Sequence, residues 1–250
     1  MSKTSNPLEQ HKLPTGGNFG FSATKVEDLG ATEFTLVTLV NDVSGSVGSY
    51  KDDMCETNAN IIEACAKSPR SENLMARMVA FDTIAYEQHG FKTLDDCDPA
   101  DYKAGGSQEL KIGGATALFD ASVNAIAATG AYAKNLSDSD FDTNAIVFIV
   151  TDGWDNSSSH TADDVKKALE QIRRDECLES IMVVLIGVGV DSGSGSALDQ
   201  FRADADLTQY VELPDASPTQ LAKLADFISK SVSSQSQALG TGGPSQPLTL

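Results

Sequence analysis

Apolar and polar positions along this chain switch repeatedly between two periods. Residues 33–41 (EFTLVTLVN) form an almost unbroken run of β-branched and apolar side chains, which predicts a buried strand. Just beyond it, Val47, Tyr50, Met54, Ile61 and Cys65 recur at a spacing near 3.6, so a helix is expected over 49–67. Residues 74–81 read as a second strand. Residues 85–94, with a turn near Gly90, are expected to pair with it as an antiparallel edge. An Ala-rich helix follows over 117–134, then a buried strand over 145–151 (AIVFIVT). Thr161 opens the next helix with Asp164 three residues on, and Val165, Leu169 and Ile172 share its apolar face. A continuous apolar strand is expected over 181–190, a short helix over 196–205 and a strand over 209–213. In the last helix Ser217 is placed to cap, Pro218 suits the first position and Gln220 completes a capping box. Leu221, Leu224, Ile228 and Val232 form its stripe.

Strands apolar on both faces, alternating with helices, imply an α/β fold with a mostly parallel sheet covered on both sides. In such folds ligands meet the chain outside the carboxyl ends of the strands. The boundaries follow: a lead-in over 1–32 that packs on or precedes the domain, one folded domain over 33–232, and a small, polar tail over 233–250 that is expected to be flexible. Phe19, Phe21, Val26 and Leu29 are the lead-in residues expected to pack.

Charge narrows the function. Asp and Glu number 36 against 18 Lys and Arg, a net charge of −18. That field repels nucleic acid and anionic membranes, so neither is an expected partner. The segment MSKTSNPLEQHKLP lacks the apolar stretch of a signal peptide, and the longest apolar run is too short for a membrane span, so the cytosol is expected. Cys55, Cys65, Cys97 and Cys177 lack metal or redox spacing and read as free thiols.

Candidate chemistry gathers at strand ends. Asp42-Val43-Ser44-Gly45-Ser46 places a carboxylate and two hydroxyls at alternate positions after the first strand. All are hard oxygen donors of the kind Mg²⁺ takes. Alone, the segment is a turn. Gly113-Gly114-Ala115-Thr116 adds a hydroxyl on a pliable loop before a helix, and Thr151-Asp152-Gly153 adds a second carboxylate after another strand. Asp155 and Asn156 are expected to be solvated loop residues. Trp154 is either a rim anchor or packing beneath the loop. Asp82 lies at the same sheet edge outside the ligand set, and Asp191 belongs to a helix-entry loop. His11, His89 and His160 are too dispersed to suggest a catalytic triad.

The DVSGS segment, the GGAT before a helix and the TDG after an apolar strand, in that order, resemble the von Willebrand factor A domain family over about residues 33–232. The resemblance implies a doubly wound, six-stranded sheet with one antiparallel edge strand. It implies a metal-ion-dependent adhesion site at Asp42, Ser44, Ser46, Thr116 and Asp152. The expected ion is Mg²⁺, with Mn²⁺ or Ca²⁺ as alternatives. The expected role is non-enzymatic: a partner's Asp or Glu completes the metal's coordination. A bacterial or phage adaptor is implied, working with an AAA+ ATPase or in a stress- or tellurium-resistance system. Two alternatives remain, a Mg²⁺-dependent phosphohydrolase and a structural subunit in which metal only braces the loops. Against the former, the acid it needs two positions after Asp42 is Ser44.

Overall fold

A computed structural model describes residues 9–12 and 18–243. A short antiparallel pair, β1 (Glu9–Lys12) and β2 (Asn18–Phe21), precedes the main sheet. The sheet has six strands: β3 (Glu33–Asp42), β4 (Leu74–Phe81), β5 (Ala85–Thr93), β6 (Asp142–Thr151), β7 (Ser180–Val188) and β8 (Gln209–Leu213). Their order is β5-β4-β3-β6-β7-β8. Every neighbouring pair is parallel except β4 with β5. The fold is the doubly wound α/β class that the sequence implies.

The helices are α1 (Lys51–Ala66), α2 (Pro99–Tyr102), α3 (Leu118–Ser137), α4 (Ala162–Asp175), α5 (Ser192–Asp204) and α6 (Pro218–Thr241). Strand side chains alternate between two cores. Leu36 and Val40 of β3 join Val123 and Ile126 of α3, Val165 and Leu169 of α4 and Phe201 of α5. Val37 and Leu39 face the other way, towards Met54 and Ile62 of α1 and Leu224 and Ile228 of α6. All but the first residue of β3 is buried, which explains its unbroken apolar reading.

Several expected boundaries shift. In the lead-in, Phe19 and Phe21, expected to pack, are buried with Ala23 in the α3-side core. Ser22 N–H and Oγ both donate to Glu87, and Tyr132 Oη donates to the carbonyl of Thr24 at 2.9 Å. The helix expected from Ser196 starts at Ser192, because Asp191 accepts from the N–H groups of Gly193 and Ser194 and caps it. Thr161 and Asp164 form their capping box. Ser217 does not cap α6 with its side chain; its own N–H donates instead to Asp215.

The tail boundary at 233 is corrected as well. Helix α6 continues to Thr241, and Gln235 and Ser236 are buried. Arg70 Nε donates to Ser236 Oγ at 3.0 Å, and Gln235 Nε2 donates to Ser180 Oγ at 2.8 Å. These are polar anchors, invisible to a composition argument that counts only apolar burial. Residues 1–8, 13–17 and 244–250 of the expected lead-in and tail lie outside the described residues.

Candidate metal centre

Strand order places the centre. The chain lays β4 and β5 on one side of β3, then crosses to put β6 on the other. The β3–β6 junction is therefore a topological switch point, where adjoining loops diverge and leave a crevice. Asp42 ends β3, and Asp152 follows β6 directly. Gly113 to Thr116 precede α3 and hydrogen-bond to the loop that follows β3.

Hydrogen bonds join these segments. Ser44 N–H donates to Asp42 Oδ1 at 2.8 Å, and Thr151 Oγ1 donates to Asp42 Oδ2 at 2.6 Å. Ser46 Oγ donates to Asp152 Oδ1 at 2.8 Å and lies 3.2 Å from Ser44 Oγ. Four of the five sequence-derived residues thus form a continuous oxygen cluster. Thr116, 5% exposed, is held beside them by its backbone: Gly45 N–H donates to the Gly114 carbonyl, and Gly113 N–H to that of Val43. Gly114 has φ +54°, and a Cβ there would sit 2.4 Å from Thr83 Oγ1 and 2.9 Å from the Asp82 carboxylate, so only glycine fits.

Asp42 is 3% exposed. Burial pushes its carboxyl above the ordinary range, Asp152 adds to the rise, and the hydrogen bonds from Thr151 and Ser44 oppose it. The groups that act most on Asp42 are hydroxyls, a backbone N–H and a second carboxylate, and among the described residues no cationic side chain pairs with it. A buried carboxylate facing another without a counter-charge is a costly arrangement.

A divalent cation fits this donor set. Oxygens at about 2.1 Å around an octahedral Mg²⁺ stand about 3 Å from their neighbours. The Ser44–Ser46 and Ser46–Asp152 separations are of that size. Among the described residues no three His, Cys, Asp or Glu side chains gather into a metal-holding group. The centre has two carboxylates, and its remaining donors are hydroxyls, a set suited to a hard, partly hydrated ion.

Three residues matter here in ways their sequence context hid. Tyr50, expected only as part of a helix face, stands near the centre; burial first, then the charge of Asp152, raises its pKa strongly. Asn156 Oδ1 accepts from Thr116 N–H at 2.8 Å, and Thr116 returns a carbonyl to Asn156 N–H at 2.9 Å. Asp155 accepts from Phe119 N–H at 3.3 Å and from Ser158 Oγ at 2.5 Å. Asp155 and Asn156 therefore brace the β6–α4 loop against the start of α3, while Asn156 stays exposed, as a loop residue was expected to be, and Asp155 is half-buried. The signal available was a run of capping-type residues (DNSSS) after a candidate ligand; their target was not readable. Trp154 remains 38% exposed and lies edge-on to Phe119 at 5.5 Å. Asp82 stands beside the Gly113–Gly114 backbone. His160 Nδ1 and Ser159 Oγ both engage Asp120, so that hydroxyl is not aligned on the imidazole as a nucleophile.

No protein-family model matches the chain, and no curated protein does. Solved structures do. The PilB minor pilin from Streptococcus sanguinis aligns with TM-score 0.59 at 17% identity, covering 86% of this chain and 64% of that one. Proximal thread matrix protein 1 from the mussel byssus, in a structure described as having a zinc-occupied metal-ion-dependent adhesion site, gives 0.51 at 19%, covering 82% and 47%. The pilus adhesin SpaC from Lactobacillus rhamnosus GG gives 0.55 at 12%, covering 80% and 31%. The chain spans less than two thirds of each of these proteins. At such identities the likeness is one of architecture, and it agrees with the strand order and helix layers above: the chain has a von Willebrand factor A-like fold, of the kind found in pilins and adhesins.

Proposed function

We propose that this protein is a non-enzymatic interaction module that holds one divalent ion, Mg²⁺ first among candidates, at Asp42, Ser44, Ser46, Thr116 and Asp152, and offers it to an acidic side chain of a protein partner. The observation that carries this reading is the buried Asp42 carboxylate set beside Asp152 and two serine hydroxyls, with no cationic side chain paired with it among the described residues. When bound, the ion supplies a concentrated positive charge that inverts the local field. Asp42 and Asp152 set that charge, and the uncharged serine and threonine ligands leave part of it for an incoming carboxylate. Ser46 orients Asp152, and Asn156 and Thr83 hold the Thr116 loop in place.

A bracing role for the metal is the weaker reading, because the chain already ties its three loops together by hydrogen bonds. A phosphohydrolase lacks its acid, since Ser44 occupies that position. The matched proteins are described as a pilin, a thread matrix protein and an adhesin, which supports binding over catalysis. The four cysteines are free and buried, which supports a reducing compartment such as the cytoplasm. An AAA+ ATPase, or a component of a stress- or tellurium-resistance system, is the partner class the family resemblance favours.

Isothermal titration of Mg²⁺ into the metal-free protein is expected to show one site, lost in Asp42→Ala and Asp152→Ala. Absence of heat, with unchanged melting on adding Mg²⁺, would falsify the metal reading. Thr116→Ala is expected to release partner proteins while the circular dichroism spectrum persists; retention of the partner would favour bracing.

A further inference from the structure

Among the described residues the exposed large hydrophobic side chains are Ile84, 66% exposed, and Trp154, 38% exposed. Both lie at the sheet edge that carries the candidate metal centre. Ile84 is in the β4–β5 turn, just past Phe81, which pairs in register with Asp42. Trp154 follows Asp152 by two positions. The Gly113–Thr116 loop lies between their loops: Ala115 N–H donates to Thr83 Oγ1 at 3.1 Å on one side, and Thr116 N–H to Asn156 Oδ1 on the other. Neither side chain is needed to fill the core there. Ile84 belongs to neither core cluster, and Trp154 packs edge-on against Phe119 and Phe201 and keeps 38% of its surface exposed.

Scattered exposed hydrophobics are ordinary, but large ones restricted to loops around one site mark an interface. The acidic side chains beside them are Asp82, Asp152 and Asp155. A partner bearing a cluster of acids meets repulsion from these. One carrying a single carboxylate between apolar side chains meets less.

We propose, building on the metal reading above, that Ile84 and Trp154 are paired apolar anchors on either side of the metal centre, and that the partner presents one Asp or Glu flanked on both sides by large apolar residues. The ion makes binding conditional on the carboxylate, and the anchors select its neighbours. Trp154 is the single tryptophan of the chain, so its emission reports contact at this spot.

The test is selection of a phage-displayed random peptide library on the full chain in Mg²⁺, with Mg²⁺ binding measured separately by calorimetry. Enriched peptides are expected to share one carboxylate between apolar residues and to shift Trp154 emission. Their affinity is expected to fall about tenfold or more in Ile84→Ser and in Trp154→Ala, as for the loss of an interface anchor, with Mg²⁺ binding unchanged. Mg²⁺-dependent peptides without apolar flanks, or with equal affinity for both variants, overturn this inference and leave the metal reading standing. Absence of Mg²⁺ binding overturns both. If Trp154→Ala fails to fold, Ile84→Ser alone decides.

Discussion

Asp42 carries an energetic penalty that a bound cation would relieve. Its carboxyl titrates higher in the folded chain than in the unfolded one, because burial and Asp152 disfavour the charge. The folded state therefore holds more protons than the unfolded state between the ordinary carboxylate pKa and the raised one. Over that window metal-free stability falls as pH rises, and above it the penalty is fully present. Asp42→Asn removes the charge, so in chelator at neutral pH it is expected to melt at or above the parent chain. Saturating Mg²⁺ reverses the order: about 2.7 kcal/mol of stabilisation at a hundred times Kd accrues to the parent chain alone. Thermal melts of both proteins with EDTA and with Mg²⁺ measure this, and a variant that loses stability in EDTA contradicts it. The motif residues were legible because three short segments each carry their own donors. Tyr50 and Asn156 were not, since each acts on a segment distant in sequence and nothing local marks the approach.

At the scale of elements, the segment joining β2 to the rest of the domain depends on a missing side chain. Phe91 N–H donates to the Ser22 carbonyl at 2.8 Å, and Thr24 N–H to the Phe91 carbonyl at 2.7 Å. A Cβ on Gly90 would lie 1.8 Å from the Ser22 carbonyl oxygen, a backbone atom with no room to withdraw. Gly90→Ala is thus expected to push this segment off β5 and destabilise by about 1–3 kcal/mol, with faster proteolysis before Glu33. Urea unfolding and limited proteolysis check it, and parental values for both would refute the dependence. Gly90 was expected to lie in a turn; it lies inside β5 instead, buried under the lead-in. Strand and helix periods revealed the longer elements between 33 and 232 because each buries an apolar face, whereas α2, four residues long, is too short to show a period. The far end of α6 escaped notice because Ser236 and Gln235 are buried through hydrogen bonds.

Over the whole molecule, a net charge of −18 opposes compaction. Ion pairs such as Arg77–Glu87, at 2.8 Å and nearly inaccessible, are local exceptions. Because screening acts over about 10 Å at 0.1 M salt, raising NaCl in the presence of chelator is expected to raise Tm before any metal is added. A falling Tm would show that attractive pairs outweigh the repulsion. Doubly wound architecture was legible in the alternation of elements; the side of β3 on which β6 lands was not, because crossover direction leaves no mark in hydrophobic period. That crossover has a consequence for the order of events during synthesis. β3, β4 and β5 are made first and are neighbours, so half of the sheet can pair before β6 leaves the ribosome. Asp42, Ser44 and Ser46 come with the early half, and Asp152 comes with the late one. An ion held by both carboxylates would therefore tie the earliest strand of the sheet to a later arrival, and its capture would certify that the two halves have met in the right register.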